Sequence, residues 1–165
     1  MSAQDCRVRI FLPASLADLA DPDGLSPRAA HAVTDDLARA LPGEDAEGLA
    51  FVALLAAADD CVALRAERGA GDGSLPRRVV VAAELRSRAS RSTRPEALPS
   101  EVEQPERVPW ASVVSLHVDD EQAEPDVAAA IAGDADALER AAERDLLWFD
   151  ISELDALRAL ASSAG

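Results

Sequence analysis

The sequence predicts an α+β fold: a ferredoxin-like split β-α-β sheet with extra helices in the first crossover and a C-terminal helix. Three observations predict it. Segments at 7–12, 77–85 and 110–118 alternate or run apolar in the manner of strands. Apolar residues recur at i, i+3 and i+4 from about Asp45 to Arg68, the spacing of a long amphipathic helix. The order along the chain is strand, helices, strand, strand, helices, strand and a terminal helix. That order puts the first strand and the 110–118 strand side by side and parallel, with helices on one sheet face and the other face open.

In "VRIFLPAS", Val8, Ile10 and Leu12 share one face, and Pro13 ends the strand. Ser15 and Asp18 have the spacing of a capping box for a short helical turn, which "DPDG" (21–24) closes. Ser26-Pro27 is a second helix-start signal, because proline fits the first helical position. Thr34 caps a helix through Leu41, stopped by Pro42-Gly43. In the long helix that follows, Phe51, Leu54, Leu55, Ala58, Cys61 and Val62 form the apolar stripe. Gly69 breaks it, and "RRVVVAAEL" (77–85) is a β-branched strand. Residues 86–107 have little apolar content and three prolines, so a mobile loop is expected inside a single domain spanning 1–165.

The 110–118 segment predicts a strand with Trp110, Ser112, Val114, Leu116 and Val118 on its hidden face. Ala111, Val113, Ser115 and His117 then lie on the other. Helices are expected near 125–132 and from Asp136 to Arg144, the second opened by Asp136 and Glu139. "LLWFDI" (146–151) is a short strand, and Ser152 with Asp155 caps a last helix docked by Leu154, Leu157 and Leu160.

Composition narrows the function classes. The chain has 165 residues, 48% of them apolar, enough for one core built mainly from Leu, Val and Ile. Its formal charge of −15 repels phosphate backbones and anionic headgroups, so neither nucleic acid nor membrane is an expected partner. A protein partner with a basic face, or a second copy in a homodimer, fits better. Every basic residue is arginine. Cys6 and Cys61 form no CxxC pair and lie near no histidine at metal spacing, so a reduced, cytoplasmic setting is expected. The N-terminus lacks an apolar leader, and the apolar run 49–58 is too short to span a bilayer. The sequence has no phosphate-loop or nucleophile-elbow motif, and no cofactor is expected.

The segments "VRIFLPAS", "AHAVT" (30–34), "RRVVVAAE", "VPWASVVSLHVDD" and "LLWFDISEL" are similar to a family of small acidic proteins of unknown function from high-GC Gram-positive bacteria. The resemblance covers most of the chain and fades over 86–107. It implies a single domain and carries no activity.

One constellation has the chemistry of a site. "SLHVDDEQAEPD" (115–126) places His117 and Asp119 on one side of a strand end, followed by Asp120. If "AHAVT" folds over that edge, His31 and Thr34 join them. Two imidazoles with carboxylates suit a divalent metal, and a His–Asp pair suits acid/base work. Against this, acids after a strand commonly charge the start of the next helix. No dedicated metal motif is present, so no metal is expected. Cys61 lies in the helix stripe as an inert thiol, and the "RSRASRSTR" run reads as a solvated loop. Two readings follow. The first is a non-catalytic protein-interaction or self-associating module. The alternative is a small metal- or ligand-binding enzyme using the His/Asp cluster.

Overall fold

The first expected strand forms as β1 (Val8–Ala14). The structure, a computed structural model, describes residues 7–86 and 90–163. Cys6 and residues 87–89 of the expected loop lie outside them. After β1, Ser15 N–H donates to Asp18 Oδ2 at 2.9 Å and Asp18 N–H to Ser15 Oγ at 3.4 Å, the reciprocal pair read from the sequence. They close a 3-10 turn at Ala17–Ala20.

The chain then departs from expectation. Ser26-Pro27 starts no helix; it leads into strand β2 (Arg28–Ala32). "RAAHA" has helical composition, but β1 offers it a ladder in the register Phe11↔His31, and Ala30, His31 and Ala32 are buried there. Tertiary pairing overrides propensity. Thr34 does cap α1 (Asp35–Ala40), accepting from Leu37 N–H at 3.0 Å. Asp45 caps the long helix α2 (Ala46–Arg68) through Gly48 N–H. Strand β3 (Val79–Leu85) follows, then β4 (Ser90–Arg91) and β5 (Glu101–Gln104). The last two lie inside the stretch expected to be a loop. β5 pairs with β2 and carries buried polar residues, Glu101 and Gln104, which disguise it as loop.

Trp110–Ser112 is a 3-10 turn, and strand β6 runs Val113–Val118. After it come α3 (Glu124–Ile131), α4 (Ala135–Ala142), β7 (Leu147–Asp150) and α5 (Leu154–Ser162). Two cap assignments shift. Asp134, not Asp136, caps α4, and Asp150 with Glu153 forms the capping box ahead of α5.

The described strands form one sheet in the order β4-β5-β2-β1-β3-β6-β7, and every neighbour is antiparallel. This supports an α+β class but not the expected parallel pairing of β1 with the 110–118 strand, because β3 lies between them. A split β-α-β unit exists, displaced along the chain: β2 and β3 flank β1, and α2 crosses over it.

Both sheet faces are covered. On one side α2 lays Leu49, Ala53, Ala57 and Cys61 against Phe11, Val80 and Ala82. The small alanines let the helix sit close, and Phe51, expected on the stripe, turns outward at 54% exposure. On the other side Leu154 and Leu157 of α5, with Leu16, Leu19 and Leu25, close over Ile10, Leu12, Val81 and Leu116. The face expected to be open is therefore packed. The alternation of 110–118 also breaks. The β3–β6 register shifts between Ala82↔Ser115 and Ala83↔Val113, a bulge at Val114. Val113 thus joins Leu116 and Val118 in the core beneath α5. Trp110 remains anchored from its turn, its indole N–H donating to Asp21 O at 2.7 Å and its ring carrying the Arg158 guanidinium at 5.5 Å.

Gly24 pins the loop over this core. It sits at φ +112°, and an added Cβ would fall 2.0 Å from Val108 O, which accepts the 2.9 Å bond from Leu25 N–H. Gly24→Ala is expected to cost at least about 1–3 kcal/mol from backbone strain, with the clash adding to it. Gly43→Ala, where a Cβ meets nothing within 4 Å, leaves the urea midpoint in place.

Candidate functional site

His31 is the polar side chain of β2 that the fold buries most completely. The pleat points it toward α2, opposite Phe11, where it is fully buried. Its Nδ1 lies 2.8 Å from Ser100 Oγ and its Nε2 lies 2.8 Å from Asp60 Oδ2. An ionised Asp60 only accepts, so Nε2 carries a proton; in the neutral ring Nδ1 accepts from the Ser100 hydroxyl. The chain Ser100–His31–Asp60 thus links the lead-in to β5, the sheet and helix α2.

These are the residue types of a nucleophilic relay, with their access inverted. Ser100, the potential nucleophile, is only 2% exposed, whereas the Asp60 side chain is 39% exposed. What reaches solvent is a carboxylate held in place from behind. Asp60 lines a cleft of about 440 Å³ between α2 and the start of β2. Around it stand Arg28, Glu67 and Arg94, with Ala29 and Leu64 among the apolar lining.

The structure separates the other residues of the expected cluster. His117 lies on β6 opposite Val80 and Trp148, so β1 and β3 stand between it and His31. Three strand spacings amount to about 14 Å, against metal–ligand bonds of only ~2 Å. Thr34 is occupied as the α1 cap and also donates its hydroxyl to Pro99 O. Asp119 is fully buried and takes Arg78 in a two-pronged pair: Oδ2 accepts from Nε at 2.9 Å and Oδ1 from Nη2 at 2.8 Å. Asp120 accepts from Ala123 N–H at the turn before α3. Among the described residues no group of three His, Cys, Asp or Glu side chains is placed to hold a metal ion.

His117 itself is half-buried, with Ser115 Oγ 3.4 Å from its Nε2. Burial and then the Arg9 charge hold its pKa below the ordinary 6.5, so at neutral pH it is an uncharged surface-flank group. Cys61 is inert. Burial pushes its thiol up to about 12, and it donates to Val79 O at 3.0 Å.

Among the described strands, β7 leaves an apolar surface uncovered. β7 is the sheet's last strand, with β6 on one side only, and Trp148 and Leu147 are exposed at 61% and 47%. Asp150 N–H is taken by Glu153 Oε2 at 2.9 Å, so it does not bond to β6. Antiparallel alternation then turns the N–H and C=O of Trp148, two residues earlier, toward the open edge.

The model of a family of unknown function, DUF6912, matches residues 8–157. The chain belongs to this family. The matched span takes in every described strand, so the Ser100–His31–Asp60 chain and the β7 edge both sit within the match to DUF6912. No curated protein and no solved structure matches the chain. No helix among the described residues of this DUF6912 member is long and apolar enough to cross a membrane.

Sequence reasoning singled out His31 but missed Ser100, Asp60 and Arg78. Their partners lie 69, 29 and 41 residues away in the chain, and no spacing rule connects them. The one local signal was the acidic pair Asp59-Asp60 interrupting the otherwise apolar run 49–64.

Proposed function

We propose that this DUF6912 protein is a non-catalytic, cytoplasmic interaction module that holds an extended, basic segment of a partner protein along β7. The observation that carries the reading is Trp148, 61% exposed on an edge strand with its backbone N–H and C=O turned outward. Strand addition uses such edges: main-chain bonds supply affinity, and side-chain contacts supply choice of partner. A large exposed tryptophan is the residue type that most often dominates a binding surface.

Charge selects the occupant. Asp145, Asp150 and Glu153 flank the strand on a chain of formal charge −15, which attracts arginine- or lysine-bearing segments. The same field disfavours a second copy as the occupant. The chemistry-bearing groups favour binding over catalysis. His31, Asp119 and Thr34 are engaged inside the fold, and the thiol of Cys61 is buried.

The test is titration with a short synthetic peptide alternating valine and arginine, followed by amide NMR. Saturable shifts at Trp148 and slowed exchange of its amide are expected. Trp148→Ala should weaken binding at least about tenfold, equivalent to ~1.4 kcal/mol. Unmoved β7 amides, or equal binding of the peptide with glutamate for arginine, overturn the reading. So does light scattering that shows a dimer abolished by Trp148→Ala, which would make a second copy the occupant.

A further inference from the structure

The cleft beside the buried histidine carries unsatisfied charges of both signs around an apolar floor. Along α2, Asp60 and Glu67 stand two turns apart, with Leu64 between them. Pro13 and Ala29 continue the apolar surface from the sheet, and Arg28 and Arg94 complete the rim. Its volume of about 440 Å³ falls in the range of about 300–1,000 Å³ usual for small-molecule sites.

The state of each charged group narrows the ligand. Arg28 is consumed by the fold: its guanidinium donates to Pro13 O at 2.8 Å, to Asp18 Oδ2 at 3.2 Å and to Ser26. Arg94 is different. Its side chain is 65% exposed, and its Nε lies 3.4 Å from Glu101 Oε1. Its two terminal nitrogens, the paired donors that suit a carboxylate, make no hydrogen bond among the described residues. Asp60, also in the lining, gives Oδ2 to His31, and Oδ1 has no hydrogen-bond partner among the described residues. Glu67 likewise makes no bond among them.

The buried chain behind Asp60 makes this more than an arrangement of surface charges. A carboxylate on a helix flank ordinarily samples several rotamers. Asp60 is instead fixed by an imidazole that is itself fully buried and fixed by Ser100. Such support from behind is what holds a binding group in one orientation. A purely anionic ligand would meet Asp60 and Glu67, and a purely cationic one would meet Arg28 and Arg94. An apolar one would leave Asp60, Glu67 and the terminal nitrogens of Arg94 unmatched.

We propose that this cleft binds a small zwitterion of the amino-acid class, its ammonium on Asp60, its carboxylate on Arg94 and an aliphatic side chain against Leu64 and Pro13. Glu67 adds attraction on the ammonium side. Ser100 and His31 are positioning residues that act through Asp60. The site is independent of β7, and either proposal stands if the other fails.

The probe is L-leucine, titrated by amide NMR and calorimetry against 4-methylpentanoate, which lacks the ammonium, and isopentylamine, which lacks the carboxylate. Leucine is expected to shift the amides of Ala29, Asp60 and Leu64 saturably and to bind at least about tenfold tighter than either analogue. Asp60→Asn keeps an oxygen for His31 Nε2–H but removes the charge, so it should lose binding and keep its urea midpoint; Arg94→Gln should do the same. Either analogue binding as tightly as leucine, an Asp60→Asn variant that binds as before, or the absence of saturable shifts each overturn the proposal. Tighter binding of inorganic phosphate or of a simple diamine than of leucine also overturns it.

Discussion

Asp119→Ala is expected to lower the stability of the fold by about 3–5 kcal/mol, the loss typical when one partner of a buried ion pair is removed. Against a total stability of about 5–15 kcal/mol for a domain, that loss is between about a fifth and the whole of it. The geometry explains the size. Asp119 Oδ2 accepts from both the backbone N–H and the Nε of Arg78, and Oδ1 accepts from Nη2. Arg78 Nη2 also donates to Arg144 O at 3.2 Å, so the guanidinium joins the start of β3, the end of β6 and the segment leading into β7. Neither side chain has meaningful contact with water. Truncating Asp119 strands a buried cation whose one remaining acceptor among the described residues is Arg144 O. Asp120→Ala, one residue on, removes a single cap bond from a partly exposed turn and should cost about 1 kcal/mol.

The pair itself is a different quantity from the cost of breaking it. Replacing both residues together, Arg78→Met with Asp119→Leu, should recover most of the loss, because apolar side chains of similar volume meet no desolvation penalty. A double-mutant cycle by urea unfolding separates the two. A near-neutral Asp119→Ala would show that water or a neighbouring carboxylate reaches Arg78. A double variant no more stable than the single one would show that the pair fixes the register of β3 and β6.

The sequence revealed those elements whose stabilising contacts are local. β1 and β3 show apolar or β-branched runs, α2 shows helical spacing, and Ser15, Thr34 and Asp45 announce turns and caps within three residues of their partners. It concealed elements defined by distant partners. β2 is alanine-rich and reads as helix until β1 and β5 flank it, and β5 reads as loop because Glu101 and Gln104 are polar. The bulge at Val114 was invisible for the same reason. Nothing within "ASVVSLHV" marks the residue that β3 leaves unpaired. The reading of the site met a related limit. The motif around His117 was conspicuous because its residues are neighbours in sequence, whereas His31 meets Asp60 and Ser100 only after the strand order is known.

His31→Ala tests that assembled chain, with an expected loss of about 2–4 kcal/mol from the cavity and from hydrogen bonds left unmade. The contributions should be unequal. Ser100 is buried, so its hydroxyl loses Nδ1 with no water to replace it, whereas Asp60 opens onto the cleft and can be solvated. Ser100→Ala should therefore cost about 1–3 kcal/mol, since it orphans the buried Nδ1. Asp60→Asn should cost under about 1 kcal/mol, since its amide oxygen still accepts from Nε2. The ordering His31→Ala, then Ser100→Ala, then Asp60→Asn is the signature of an imidazole anchored from the inside and presenting its carboxylate outward. Urea midpoints for the three variants give that order directly. If Asp60→Asn proves the costliest, the carboxylate is the structural anchor, and its place at the cleft is incidental to how the fold holds together.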